Sequence, residues 1–134
     1  ETDAMHLGRQ QLADIFVDTF NFNAHTTASE ALWCGLPVIS MIGETFCARV
    51  SSSLLHAVGL DDLVTKSIEE YETLICELIE DKEKLREIKS RLNNNIATCP
   101  LFDSEAYTRD FAKAMKIIYK RYQNEEQLCD VWVR

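Results

Sequence analysis

A chain of 134 residues with 46% hydrophobic and 27% charged residues is one globular domain's worth of polypeptide, not a disordered segment. Its net charge of −8, from 14 Lys+Arg against 22 Asp+Glu, argues against a nucleic-acid surface, which usually needs a basic patch. No apolar run approaches the roughly 18 residues of a membrane helix, and no signal peptide is visible in the polar, acidic opening Glu1-Thr2-Asp3.

Taken in chain order, residues 14–19 (DIFVDT) are β-branched and aromatic with an alternating pattern, which predicts a short strand. A loop, 20–24, leads to a helix starting at Thr26 or Thr27 and running to Cys34, with Gly35 as its stop. Pro37 precedes a buried strand, Val38-Ile39-Ser40-Met41. Gly43-Glu44-Thr45 is a turn with Thr45 as N-cap. The next helix carries Phe46, Val50, Leu54 and Val58 at four-residue spacing, predicted to share one apolar face, and Gly59 ends it. Leu63-Val64-Thr65 is strand-like. Ser67 caps a helix with Ile68, Tyr71, Leu74, Ile75, Leu78 and Ile79 on one side, and a second helix carries Leu85, Ile88, Leu92 and Ile96. After a break near Pro100, residues 105–123 form a last helix striped with Tyr107, Phe111, Met115, Ile118 and Tyr122. The tail from 124 has no assignment, so the domain is drawn as 1–124 with a tail, 125–134.

Strands alternating with helices predict an α/β fold with a parallel sheet, which binds ligands at the carboxyl ends of its strands. The stretch from Asp18 to Arg49 carries the chemistry. His25, Thr26 and Thr27 open a helix just beyond a strand. A helix start offers free N–H groups and about half a positive charge, suited to an anion such as a diphosphate. Glu30, one turn on, can accept hydrogen bonds from a diol. The spacing Thr27-x-x-Glu30 equally fits a capping box, with no ligand role at all. Residues 1–65 hold two basic residues, Arg9 and Arg49, against eight acids, so backbone amides would have to do much of the anion binding. Arg49 is read as a salt-bridge partner and Trp33 as core packing. The five scattered cysteines fit buried thiols in a reducing, cytoplasmic compartment better than disulfides or zinc.

The run DTFNFNAHTTASEALWCGLPVISMIGETFCARVSSSLL resembles the donor-binding motif of the O-linked N-acetylglucosamine transferases and their bacterial relatives. The likeness continues through HAVGLDDLV, EEYE and CPLFDSEAYT, and begins upstream at His6 and RQQLAD. It covers nearly all of residues 6–123. The resemblance implies the C-terminal, Rossmann-like half of a GT-B glycosyltransferase with a helical C-terminal extension. By the same resemblance His25, Thr26 and Thr27 hold the diphosphate of UDP. Glu30 stands where an acid, commonly Asp, binds the ribose, and His6 matches a His beside the nucleotide. Asp3 falls where some members carry a Lys, which puts a nucleobase contact in doubt.

The implied reaction is inverting transfer of a sugar, N-acetylglucosamine by the resemblance, from UDP to a protein Ser or Thr. The absence of a D-x-D pair in this stretch favours metal-independent chemistry, with no cofactor beyond the UDP-sugar. The family's diphosphate-neutralising Lys, its His near the acceptor and the helical repeats that bring the protein acceptor are expected upstream of residue 1, so no catalytic residue is assigned. The chain, lacking an initial Met, reads as a fragment, inactive alone and self-associating, with no nucleic-acid or membrane partner. Two alternatives stand: a non-catalytic relative serving as a binding or scaffold module, and another UDP-sugar enzyme such as an epimerase.

Overall fold

The computed structural model describes residues 2–133, without the side chain of Asp3. The chain divides into two compact units, Glu1–Leu101 and Phe102–Arg134. The first unit is α/β. Helix α1 (Asp3–Gln10) is followed by β1 (Phe16–Val17), α2 (Thr26–Trp33), β2 (Val38–Met41), α3 (Val50–Ala57), β3 (Val64–Thr65), α4 (Ile68–Glu80) and α5 (Lys82–Ile96). The three strands form a parallel sheet in the order β1-β2-β3, with Phe16 opposite Val38 and Ser40 opposite Val64. Parallel neighbours need crossover connections, and α2 and α3 supply them.

The core lies where these helices meet β2. Val38 and Ile39 of β2 are wholly excluded from solvent, as are Ala28, Ala31 and Leu32 of α2, and Leu55 and Val58 at α3. Leu78 and Leu92 seal the α4 and α5 side. Each fully buried Leu or Ile is worth about 1.5–3 kcal/mol. The α2 stop is steric as well as conformational: Gly35 has φ 77°, and an added Cβ would stand 2.6 Å from the Asn93 side-chain oxygen on α5.

The expected helices α4 and α5 are present, with Ser67 capping α4 through the Glu70 N–H at 3.1 Å and Asp81 capping α5. Helix α1 carries no element in the sequence reading. It is short and polar, and only its Thr2 cap on the Met5 N–H marks its start. Strand β1 is two residues rather than six, because Asp18 turns the chain away once its own N–H has reached the Ile39 carbonyl.

The largest correction concerns residues 46–58. They are not one helix: Phe46–Ala48 is a 3₁₀ turn capped by Thr45, and α3 begins at Val50. Nor do Phe46, Val50, Leu54 and Val58 share a buried face. Phe46 is 79% exposed, and the buried positions of α3 are Ser51, Ser52 and Leu55. A strict four-residue step drifts about 40° per repeat on a 3.6-residue helix, so such a row leaves the core as it runs. Trp33, read as core, is 54% exposed. Of the cysteines, Cys99 is buried, Cys34 and Cys47 are half-buried, and Cys76 and Cys129 are exposed, all as free thiols.

A short 3₁₀ turn, Pro100–Phe102, ends at the first residue of the second unit, and that unit holds α6 (Ser104–Gln123), capped by Asp103 through the Ala106 N–H at 2.8 Å. Its predicted stripe is exposed throughout, from Tyr107 to Tyr122.

Tyr71 ties α4 to the end of β1, its hydroxyl donating to the Asp18 carbonyl at 2.6 Å. Burial, with the Asp18 charge beside it, pushes the phenol up to about 12 from its ordinary 10.0. The folded state therefore holds this proton more tightly than the unfolded chain does. The stability it contributes is complete below pH 10 and is lost as pH rises towards about 12. In an ultraviolet titration Tyr71 should be the last tyrosine to ionise, and Tyr71→Phe should abolish that late step.

Candidate functional site: an open helix start at the strand ends

The site is built by the eight residues between β1 and the start of α2. Asp18, 4% exposed, is its anchor. One carboxylate oxygen accepts from the N–H groups of Thr19 (2.8 Å) and Ala24 (2.7 Å), and the other accepts from the Ser40 hydroxyl at 2.7 Å. The loop is thereby closed back on the strand it leaves. Asn23, 1% exposed, donates from its side chain to the Thr19 carbonyl, and its own N–H reaches the Cys47 carbonyl at 2.9 Å. The Ser51 hydroxyl donates to the Ala24 carbonyl at 2.9 Å, which explains a buried serine on α3. Four of these contacts use a small polar side chain to satisfy loop backbone that would otherwise be left unpaired.

The loop delivers His25 as the N-cap of α2, with no side-chain capping bond. Among the described residues no acceptor meets the N–H groups of Thr26, Thr27 or Ala28, and the first backbone bond of the helix runs from Ser29 to the His25 carbonyl at 3.1 Å. The hydroxyls of Thr26 and Thr27 are exposed. No acid lies in the first turn of α2 to occupy the amides. The His25 ring is stacked on Phe22 (centroids 4.8 Å apart, 10° between planes) and lies edge-on to Phe46 at 6.2 Å. Its Nε2 is buried and has no hydrogen-bond partner among the described residues. A buried ring nitrogen without a partner costs free energy, as do open amides beside it.

The capping box is absent. Thr27 lies inside the helix, and the Glu30 carboxylate accepts from His6 Nε2 at 3.1 Å instead. His6 and Glu30, both 32% exposed in their side chains, bring α1 onto α2. Arg9 Nη2 reaches His6 Nδ1 at 2.8 Å. The structure therefore places His25, Thr26 and Thr27 together at the mouth of α2, and Glu30 with His6 one turn further on. The side chain of Asp3 is outside the described residues.

A cavity of about 780 Å³ adjoins this mouth, lined by Ile42, Phe46, Arg49, Val50, Leu54 and Lys66 among others. It is the space onto which the misread stripe of α3 opens, and Phe46 is shared with the His25 ring cluster. Arg49, expected in a salt bridge, has none among the described residues and lines the cavity.

Sequence reasoning missed Asp18, Asn23 and Ser51. A signal existed in the D-T-x-x-x-N run after a strand, a pattern of short side chains that fold back on their own backbone.

A parallel sheet with helical crossovers and an uncapped helix start at its strand ends defines a Rossmann-like α/β domain. The chain belongs to glycosyl transferase family 41, whose sequence model matches residues 2–111. It is 34% identical over 119 residues to the UDP-N-acetylglucosamine–peptide N-acetylglucosaminyltransferase of Caenorhabditis elegans, covering 89% of this chain and 10% of that protein. It is 37% identical over 117 residues to a probable enzyme of the same description, SPINDLY, from Oryza sativa subsp. japonica, covering 87% of this chain and 13% of that protein. Among solved structures, a mutant O-GlcNAc transferase of Thermobaculum terrenum superposes with TM-score 0.76 at 28% identity, over 90% of this chain and 22% of that one. The fold is thus that of part of a GT-B glycosyltransferase, and the chain spans about a tenth of the length of its curated relatives. Among the described residues no helix is long and apolar enough to cross a membrane.

Asp18→Ala would leave the Thr19 and Ala24 amides and the Ser40 hydroxyl without their acceptor. We expect a loss of about 3 kcal/mol, measured by urea unfolding, since unsatisfied buried donors cost about 1–3 kcal/mol each. Asp18→Asn, which keeps one accepting oxygen, should lose less than half as much.

Proposed function

We propose that this chain is the donor-nucleotide half of an inverting protein O-glycosyltransferase. The open start of α2 takes the diphosphate of a UDP-sugar, with His25, Thr26 and Thr27 as donors. Glu30 accepts from the ribose hydroxyls and His6 lies beside the nucleotide. The observation that carries this reading is the set of unaccepted amides at Thr26–Ala28 beside the unpartnered His25 Nε2. It lies within the HTT motif that resembles the family's diphosphate site, and the relatives' names give UDP-N-acetylglucosamine as donor and peptide as acceptor.

Chemically, the bond from the sugar's anomeric carbon to the diphosphate oxygen breaks as a Ser or Thr oxygen of the acceptor bonds to that carbon. The acceptor's proton passes to a base that no residue here is assigned to supply. Negative charge grows on the departing diphosphate. Donors already aimed at that position stabilise it without reorganising, which is the largest contribution preorganised sites make. In this reading backbone and hydroxyl donors of this chain stabilise the departing diphosphate. A scaffold module would have no use for orphaned amides, which disfavours that alternative. Free thiols support a reducing, cytoplasmic setting.

Neither Thr26 nor Thr27 caps the helix, so the double change Thr26→Ala, Thr27→Ala should leave the unfolding midpoint intact. UDP binding by calorimetry should weaken, by on the order of 1.5–3 kcal/mol for each lost contact to a charged phosphate. Equal UDP affinity in the folded double variant would remove the two threonines from the site.

The 134-residue chain alone should show no transfer activity, and it should self-associate. The reason is the exposed apolar stripe of α6, where Phe111, Met115 and Ile118 stand 52%, 43% and 46% exposed. A symmetric dimer is the commonest way to cover such a stripe. Light scattering over a concentration series decides it, a strict monomer being the contrary result.

A further inference from the structure

The cavity of about 780 Å³ beside the mouth of α2 carries a chemistry unlike the rest of its unit. Ile42, Val50, Leu54 and Val64 line it with apolar surface, and Arg49 and Lys66 line it with positive charge. The first 66 residues hold one further Lys or Arg, Arg9, against eight acids. Arg49 and Lys66 are both exposed, and neither side chain has an ion-pair partner among the described residues. The acid in the lining, Asp61, is engaged by His56 at 2.6 Å. Two uncommitted cations beside apolar surface, in an otherwise acidic stretch, complement an occupant with an acidic group next to a bulky apolar one.

The surroundings restrict how that occupant is held and what it is. β3 ends the sheet among the described residues, yet its edge offers little to an added strand. The Val64 N–H donates to the Asp61 carbonyl, and the Lys66 N–H donates to the Glu70 carboxylate at 2.7 Å. With those donors taken, side chains rather than a strand ladder hold the occupant. Helix α6 of a second copy has an apolar stripe but the wrong charge: five basic residues, Arg109, Lys113, Lys116, Lys120 and Arg121, against two acids, Glu105 and Asp110. Position adds the last constraint. Phe46 lines the cavity and also meets the His25 ring edge-on at 6.2 Å, so an occupant lies next to whatever fills the start of α2. The relatives' names pair the nucleotide donor with a peptide.

We propose that this cavity docks the flank of the acceptor peptide, taking a bulky apolar side chain with a Glu or Asp beside it, and that Arg49 and Lys66 are the residues that select the acid. This rests on the reading of the α2 start as the donor site. The apolar side chain leaves water against Val50 and Leu54, and the carboxylate pairs with the two cations. Exposed pairs of this kind add little to affinity and more to discrimination, because a Lys in the same place meets two like charges. The preference is for sequence around the modified Ser or Thr, and residues of this chain set it.

The test titrates the 134-residue protein with three peptide probes, with and without UDP. They are acetyl-Ser-Glu-Leu-Phe-amide, the same peptide with Lys in place of Glu, and acetyl-Ser-Glu-Gly-Gly-amide. The readout is the methyl resonances of Ile42, Val50, Leu54 and Val64. The Glu-Leu-Phe peptide should move all four saturably, whether or not UDP is bound. The Lys peptide should bind about tenfold more weakly, and the Gly-Gly peptide should leave the methyls unmoved. The double change Arg49→Glu, Lys66→Glu should reverse the order of the Glu and Lys peptides, which loss of a merely structural role would not do. Equal binding of those two peptides by the unaltered protein overturns the selection. Movement of the Ile118 methyls on α6 in place of these four, or displacement of the peptide by UDP, overturns the assignment of the cavity. UDP binding with the four methyls unmoved by any peptide overturns this proposal alone and leaves the donor site standing. Peptide binding by a protein that does not bind UDP overturns the donor reading, and the acceptor role with it.

Discussion

The carboxylate of Asp18 is the constraint on which the site depends. It lies at the point where β1 ends, buried, and it gathers three donors: two backbone amides of the following loop and the hydroxyl of Ser40 on the neighbouring strand. Tyr71 reaches the carbonyl of the same residue from α4. One residue thus joins β1, β2, α4 and the loop. A buried charge is tolerable only when hydrogen-bonded on this scale. These contacts brace the loop that sets His25 at the entrance of α2.

From this follows the use of small polar residues throughout the region. Ser40, Ser51 and Asn23 are buried where apolar side chains would pack as well, because each satisfies a loop group. Meanwhile the helix the loop leads to is left uncapped. A stable helix start ordinarily has Ser, Thr, Asp or Asn at the N-cap. Here His25 occupies that position without bonding to the helix, and two threonines follow it, facing solvent. The loop is braced by several side-chain bonds while the helix start is left open, although Asn23 Oδ1 and Ser52 Oγ are also buried without a partner among the described residues.

Much of this was legible in the sequence. Gly35, Pro37 and the apolar run of β2 give that crossover away, and Thr45 and Ser67 cap as their types suggest. The HTT motif and Glu30 could be located, but not distinguished from a capping box by spacing. Only the approach of His6 across twenty-four residues settles where the Glu30 carboxylate goes. The face of α3 was misread because Phe46, Val50 and Leu54 are apolar without being core. They open on a cavity, while two serines take the buried positions. Hydrophobic periodicity reports which residues avoid water, and a ligand or partner cavity satisfies that as well as a core does. Helix α1 was missed for the opposite reason: its worth lies in a polar contact with α2, which no apolar pattern announces.

The central claim is that the amides of Thr26, Thr27 and Ala28 are kept open for a diphosphate. The most direct measurement is of those three N–H resonances as UDP is added to the isotope-labelled protein. The account expects all three protons to move downfield together and their exchange with solvent to slow, with uridine alone producing neither effect. Saturable UDP binding that leaves these three amides unmoved would contradict it.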